Sequence, residues 1–174
     1  MKAAEKIIGI ANNYLGQQEE TGNSGFKNDL FEKKMIERGF VKGDPWCALF
    51  IELVLFEAYQ GTIYEDYINR LCSKSAVETW KNFRKDGPFV CDCKPEAGTA
   101  VIWQYYKNGK RTWRGHAGIV VPVLSQQSFS TIEGNGNSQG GREGFEVVPK
   151  NRYFTKPDTG LRILGFIHPV NLEL

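Results

Sequence analysis

Cys47 stands in the stretch Gly43-Asp44-Pro45-Trp46-Cys47-Ala48-Leu49-Phe50-Ile51, directly ahead of apolar residues that reach Tyr59. The pattern predicts a helix that begins at the cysteine, with Asp44 as N-cap and Pro45 in the first turn, where its missing N–H is no loss. A thiol at such a place meets unpaired backbone N–H groups and the positive end of the helix dipole, and both favour thiolate over thiol. That makes a nucleophile; the other common use of a lone cysteine is as a small buried apolar side chain. A thiol nucleophile needs a base, and imidazole is the usual one near neutral pH. The chain has two histidines. His116, in Arg114-Gly115-His116-Ala117-Gly118, opens an apolar stretch, and its glycines leave room for a group to come close to the ring. His168 precedes Pro169, which marks a chain leaving a sheet. Glu133 closes another apolar stretch in Ile132-Glu133-Gly134-Asn135. Residues two apart in an extended chain face one side, so Glu133 and Asn135 are both expected to address one neighbour. A carboxylate or amide behind an imidazole selects its tautomer and steadies the imidazolium. A plain Gly/Asn-rich turn after an ordinary strand fits the same residues.

The elements that must hold these groups are helical first and extended afterwards. Ile7, Ile8, Ala11, Tyr14 and Leu15 follow an amphipathic helical pattern ended by Gly16. Phe26, Leu30, Phe31 and Met35 or Ile36 give a second helix closed near Gly39. Between Cys47 and Tyr59 only Glu52 and Glu57 are charged, so that helix is expected to be buried in the middle of the domain, holding its N-terminus rigidly. Ser75 and Glu78 form a capping-box pattern for a helix to about Lys85. Strands are predicted over 100–106, 117–123, 129–133, 144–148 and 161–167, with Asn108-Gly109 as a turn. Helices followed by an antiparallel sheet make an α+β domain, and no repeat or linker divides the 174 residues, which form one unit over 1–174.

Bulk composition narrows the function. Hydrophobic content of 41% and charged content of 24% belong to an ordinary globular chain. A net charge of +2, with no dense Lys/Arg run, argues against nucleic acid as partner. No apolar run reaches the length of a membrane span, and the N-terminal stretch is too short for a secretory signal. The four cysteines, Cys47, Cys72, Cys91 and Cys93, match no zinc spacing and are read as reduced. Trp103, Tyr105, Tyr106 and Trp113 cluster in the sequence and either line a groove or fill a core.

The order nucleophile, base, orienter resembles the CHAP domain of the NlpC/P60-type cysteine peptidases and amidases, papain-like enzymes known chiefly as peptidoglycan hydrolases. The resemblance covers most of the chain. It rests on Pro45-Trp46-Cys47-Ala48-Leu49-Phe50, Gly115-His116-Ala117-Gly118-Ile119-Val120, Ile132-Glu133-Gly134-Asn135 and Leu164-Gly165-Phe166-Ile167. It implies a papain-like fold with Cys47 as nucleophile, His116 as general base, Glu133 orienting His116 and Asn135 as a fourth polar member. Trp46, Asp44, Trp103 and Trp113 are the candidate substrate contacts. Where many relatives have Gly-Asp opening the first core strand, this chain has Gly98-Thr99-Ala100. The loop Gln17 to Asn23 lacks the alternating acidic pattern of a calcium site, so no metal or other cofactor is expected. The implied activity is cleavage of a peptidoglycan amide bond, by an amidase or an endopeptidase, through a thioester. The expected partner is peptidoglycan, the expected form a monomer, and the expected route from cytoplasm to wall a phage lysis apparatus or an injection system, the latter with an immunity partner. The competing expectations are a wall-binding module without activity and a papain-like protease or transferase toxin acting on a protein.

Overall fold

The computed structural model describes residues 2–123, 125–136 and 144–171. Five helices, α1 (Ala3–Asn13), α2 (Asp29–Glu37), α3 (Cys47–Tyr59), α4 (Glu65–Leu71) and α5 (Ala76–Lys85), precede six strands. The strands are β1 (Cys91–Asp92), β2 (Ala100–Lys107), β3 (Lys110–Val123), β4 (Ser128–Gly136), β5 (Glu146–Tyr153) and β6 (Gly160–Ile167). They form one antiparallel sheet in the order β1-β6-β2-β3-β4-β5. The α+β class and the helices-then-sheet order are therefore as expected. Short α4 and the two-residue β1 were not anticipated, because neither is long enough to show a hydrophobic period.

Local signals explain most boundaries. Gly16 and Gly39 follow α1 and α2 with positive φ, a conformation that a Cβ disfavours. Asn28 caps α2 by accepting from the Phe31 N–H at 2.9 Å. Ser75 caps α5 by accepting from the Glu78 N–H at 3.3 Å, although the Glu78 carboxylate binds Lys81 rather than reaching back to complete the capping box. Asn108 and Gly109, both at positive φ, close the β2–β3 hairpin. The start of α3 corrects the sequence reading. Its N-cap is Trp46, without a side-chain cap bond, and Pro45 lies ahead of the helix. Asp44 instead folds back to accept from the Val41 N–H and pairs with Lys74 at 2.7 Å.

Helix α3 runs through the centre of the molecule. Every residue of it except Phe56 and Glu57 is buried, as expected for a helix apolar almost all round; Glu52 is buried with the rest, and burial raises its carboxyl to about 7. One face of the sheet, through Ala100, Ile102, Ala117, Ile119, Ile132 and Val147, joins the helices in the main core. The alternate residues Val101, Trp103, Val120, Phe129 and Phe166 build a second, smaller cluster on the opposite face. Close approach of α3 to β4 depends on Gly134. A Cβ there would lie 2.5 Å from Phe50 Cβ and 2.7 Å from Trp46 Cζ3, so α3 and its N-terminus rest directly on the strand backbone. Gly134→Ala is expected to destabilise the protein by about 1–3 kcal/mol through overpacking. Urea unfolding followed by circular dichroism checks this, and an unchanged midpoint contradicts the packing described.

Candidate active site

Cys47 opens α3 with 8% of its surface exposed. The first intrahelical bond at this end runs from the Phe50 N–H to the Trp46 carbonyl, so the N–H groups of Cys47, Ala48 and Leu49 precede the helical ladder. His116 lies on β3 directly across from Trp103 on β2. The two rings stack, with centroids 5.6 Å apart and planes 29° from parallel, so the indole fixes the plane of the imidazole. His116 Nε2 donates to Glu133 Oε2 at 2.7 Å. The Cys47 sulfur is the ring's other polar neighbour and favours its protonated form. With Nε2 taken by the carboxylate, Nδ1 is the nitrogen left for the sulfur.

Glu133 is the most constrained group of the set. Its side chain is wholly buried, and an isolated carboxylate in such a place costs several kcal/mol. Four contacts offset that. Besides His116, Thr131 Oγ1 donates to Oε1 at 2.5 Å, Arg152 Nε donates to Oε1 at 2.7 Å, and Arg152 Nη2 donates to Oε2. Arg152 therefore grips the carboxylate in a two-pronged bond, and its guanidinium also sits 5.1 Å from the centroid of the Trp103 ring. Gly118 makes the space, since a Cβ there would fall 2.7 Å from Glu133 Cγ. Gly115 serves another purpose: a Cβ on it would meet Trp103 O at 2.8 Å and Val77 Cγ2 at 2.9 Å, so it lets α5 close on the sheet. The two glycines thus admit a carboxylate and a helix, where the sequence pointed to close approach to the ring.

The charges follow from these contacts. Burial works against a charged His116, but the Glu133 carboxylate and its bond to the ring, with the Cys47 sulfur alongside, outweigh it, raising His116 from the usual histidine range to about 10. Burial also works against a charged Glu133, and His116 and Arg152 overcome it, holding the carboxyl well below the usual carboxylate range. The arrangement at neutral pH is an imidazolium between a carboxylate and a sulfur. The other thiols differ. Burial pushes Cys72 well up and Cys91 up to about 11, and all four cysteines are free.

The remaining candidates separate clearly. Asn135 sits in the irregularity of the β4–β5 ladder between Glu133 and Gly136, with φ of 53°. The strand alternation is broken there, and among the described residues no hydrogen bond links Asn135 to His116. Trp46 is fully buried among Phe26, Phe31 and Phe50 and donates its indole N–H to Glu19, which makes it core rather than a substrate contact. Asp44 is held by Lys74. Trp103, 3% exposed, backs the imidazole instead of offering a platform, whereas Trp113 is 80% exposed. His168 stands apart, bonded to Asp92 at 2.7 Å and facing Glu96 at 3.4 Å. Arg152 was missed because its role comes from register: β5 pairs with β4 through Phe129↔Arg152, and no sequence spacing announces that pairing. Thr131, two residues before Glu133 on the same strand, follows the same i, i+2 rule that pointed to Asn135 and was legible on the other side of Glu133.

Comparison with protein-family models, curated proteins and solved structures finds no match to this chain.

Two outcomes test the geometry. Arg152→Met leaves a buried carboxylate short of its cation and is expected to destabilise by about 3 kcal/mol or more, with much of the loss recovered in Arg152→Met combined with Glu133→Gln; equal instability of both variants in urea contradicts the pairing. His116, raised in the folded state, contributes stability that is complete below its unfolded value of 6.5 and is lost as pH climbs toward about 10. The decline in stability between pH 7 and 10 is therefore expected to be shallower in His116→Ala than in the parent chain, and parallel curves contradict the assignment.

Proposed function

We propose that this chain is a cysteine hydrolase of peptidoglycan amide bonds, with the papain-like arrangement of the CHAP and NlpC/P60 enzymes that its motifs resemble. The observation that carries the reading is the set Cys47, His116 and Glu133, with the carboxylate bonded to the ring, the ring beside the sulfur and the sulfur at a helix entrance. A buried thiol at a helix N-terminus that also lies beside an imidazolium is an arrangement for acyl transfer, since a purely structural cysteine needs neither partner.

In this mechanism the Cys47 thiolate attacks the carbonyl carbon of an amide. The carbonyl oxygen takes up negative charge, which the Cys47 backbone N–H at the start of α3 is placed to stabilise. Collapse of the tetrahedral species breaks the C–N bond as His116 gives its proton to the departing amine. The product is a thioester on Cys47. Water then attacks the thioester while His116, now neutral, takes the water's proton. Collapse releases the carboxylic acid product and restores the ion pair. Glu133 stays ionised throughout and orients the ring, and Arg152 acts only through Glu133, as a positioning residue.

The test is digestion of purified cell walls, with mass spectrometry of the released fragments. Cys47→Ala is expected to release nothing, and His116→Ala to lose about 100-fold or more of the rate. Glu133→Gln is expected to keep a measurable rate, because the amide still accepts from the ring. New amine and carboxyl ends in matching amounts identify the cut bond. Unchanged release by a folded Cys47→Ala protein would falsify the mechanism. Cleavage of intact proteins with peptidoglycan left untouched would move the same chemistry to a protein substrate.

A further inference from the structure

Cationic side chains far apart in the sequence meet on the face of the sheet that carries His116. No Asp or Glu occurs between Glu96 and Glu133, a stretch that contains Lys107, Lys110, Arg111 and Arg114. Folding adds Lys156 and Arg162 from the β5–β6 connection and β6. Together Arg111, Lys156, Arg162, Tyr106, Phe154 and Phe166 line a groove of about 470 Å³.

Its two arginines are braced by one tyrosine. The Arg162 guanidinium lies 4.0 Å from the centroid of the Tyr106 ring, and Arg111 Nε donates to the Tyr106 hydroxyl at 2.9 Å. Arg162 is held further by a bond from Nε to the Pro157 carbonyl at 2.8 Å. Such bracing removes side-chain freedom before any ligand arrives, which lowers the entropy lost on binding. Among the described residues the acid paired with this set is Asp158, 3.6 Å from Arg162 and itself 93% exposed, so the positive charge is only weakly offset. An aromatic line connects the groove to the reacting centre. Phe154 contacts Phe129 at 5.0 Å, Phe129 stacks on Trp103 at 6.4 Å, and Trp103 stacks on His116.

We propose that this groove binds a carboxylate-bearing stretch of the peptidoglycan strand, holding the polymer at a second point on the face of the sheet that carries His116. This rests on the hydrolase reading above. The fit is chemical: arginine forks match carboxylates, and the exposed ring of Phe154 offers an apolar face to a sugar. Nucleic acid fits less well, because affinity for it grows with the number of phosphates neutralised and three cations line this groove.

The experiment is sedimentation of the Cys47→Ala protein with peptidoglycan chemically stripped of phosphate-bearing polymers, at low and high salt. Arg111→Gln, Lys156→Glu and Arg162→Gln combined are expected to weaken binding about tenfold or more and to flatten its salt dependence, on the scale of one or more charge-assisted hydrogen bonds. Lys156→Glu alone, which disturbs no bond in the fold, is expected to weaken binding about threefold. Turnover of a small soluble muropeptide by the Lys156→Glu enzyme with Cys47 intact should equal that of the parent. Unchanged binding by the variants, binding only to walls that keep their phosphate polymers, or tighter binding to DNA overturns the proposal. Groove-dependent binding with no cleavage by the parent enzyme would leave the groove standing and remove the hydrolase reading; cleavage with groove-independent binding would do the reverse.

Discussion

A carboxylate with no exposure to water is the constraint around which this protein is organised. Glu133 is wholly buried, and a lone ionised carboxyl in such surroundings either protonates or costs a large part of a typical domain's stability. It stays charged because three strands deliver partners at once. Strand β3 brings His116 and opens room with Gly118, β4 brings Thr131, and β5 brings Arg152. A slip of one residue in any of these pairings would turn a partner to the other face. The register of the sheet and the ionisation of the site are thus one requirement.

The charge then passes outward. Arg152 lets Glu133 remain an anion, the anion lets His116 remain a cation in spite of burial, and the cation stands beside the Cys47 sulfur. Trp103 contributes at two points, stacking on His116 while the Arg152 guanidinium lies over its ring. The sulfur is fixed independently, by a helix buried along nearly its whole length and seated on the backbone of Gly134. Two rigid bodies, a central helix and a registered sheet, therefore meet at a pair of atoms. Placement of this kind sets the sulfur and the ring beside each other before any ligand arrives.

Much of this was legible in the sequence, for definite reasons. Cys47 ahead of an all-apolar helix, His116 opening an apolar strand and Glu133 ending the next are local patterns, and each landed in the site. The long strands showed through β-branched and aromatic composition, and Gly16, Gly39 and Asn108-Gly109 ended elements where their backbone freedom was needed. What escaped was non-local. Arg152 sits nineteen residues after the carboxylate it grips, in a strand with no special spacing. Asp44 looked like a cap because of its residue type, but its side chain turns back to Val41 and Lys74. Asn135 looked like a partner of Glu133 by strand alternation, and a backbone irregularity cancels that alternation. The basic groove was hidden for the same reason: Arg111, Lys156 and Arg162 come together only when β2, β3 and β6 pair.

The central claim is that a buried carboxylate holds His116 as an imidazolium against the Cys47 sulfur. The measurement that reaches it most directly is nitrogen-15 NMR of the histidine side chains across pH, with the His116 signals assigned by comparison with a His168→Gln protein. The account predicts that the ring at position 116 carries protons on both nitrogens through neutral pH and gives one up only near pH 10. A ring at 116 that titrates near the ordinary histidine value of about 6.5 would contradict it.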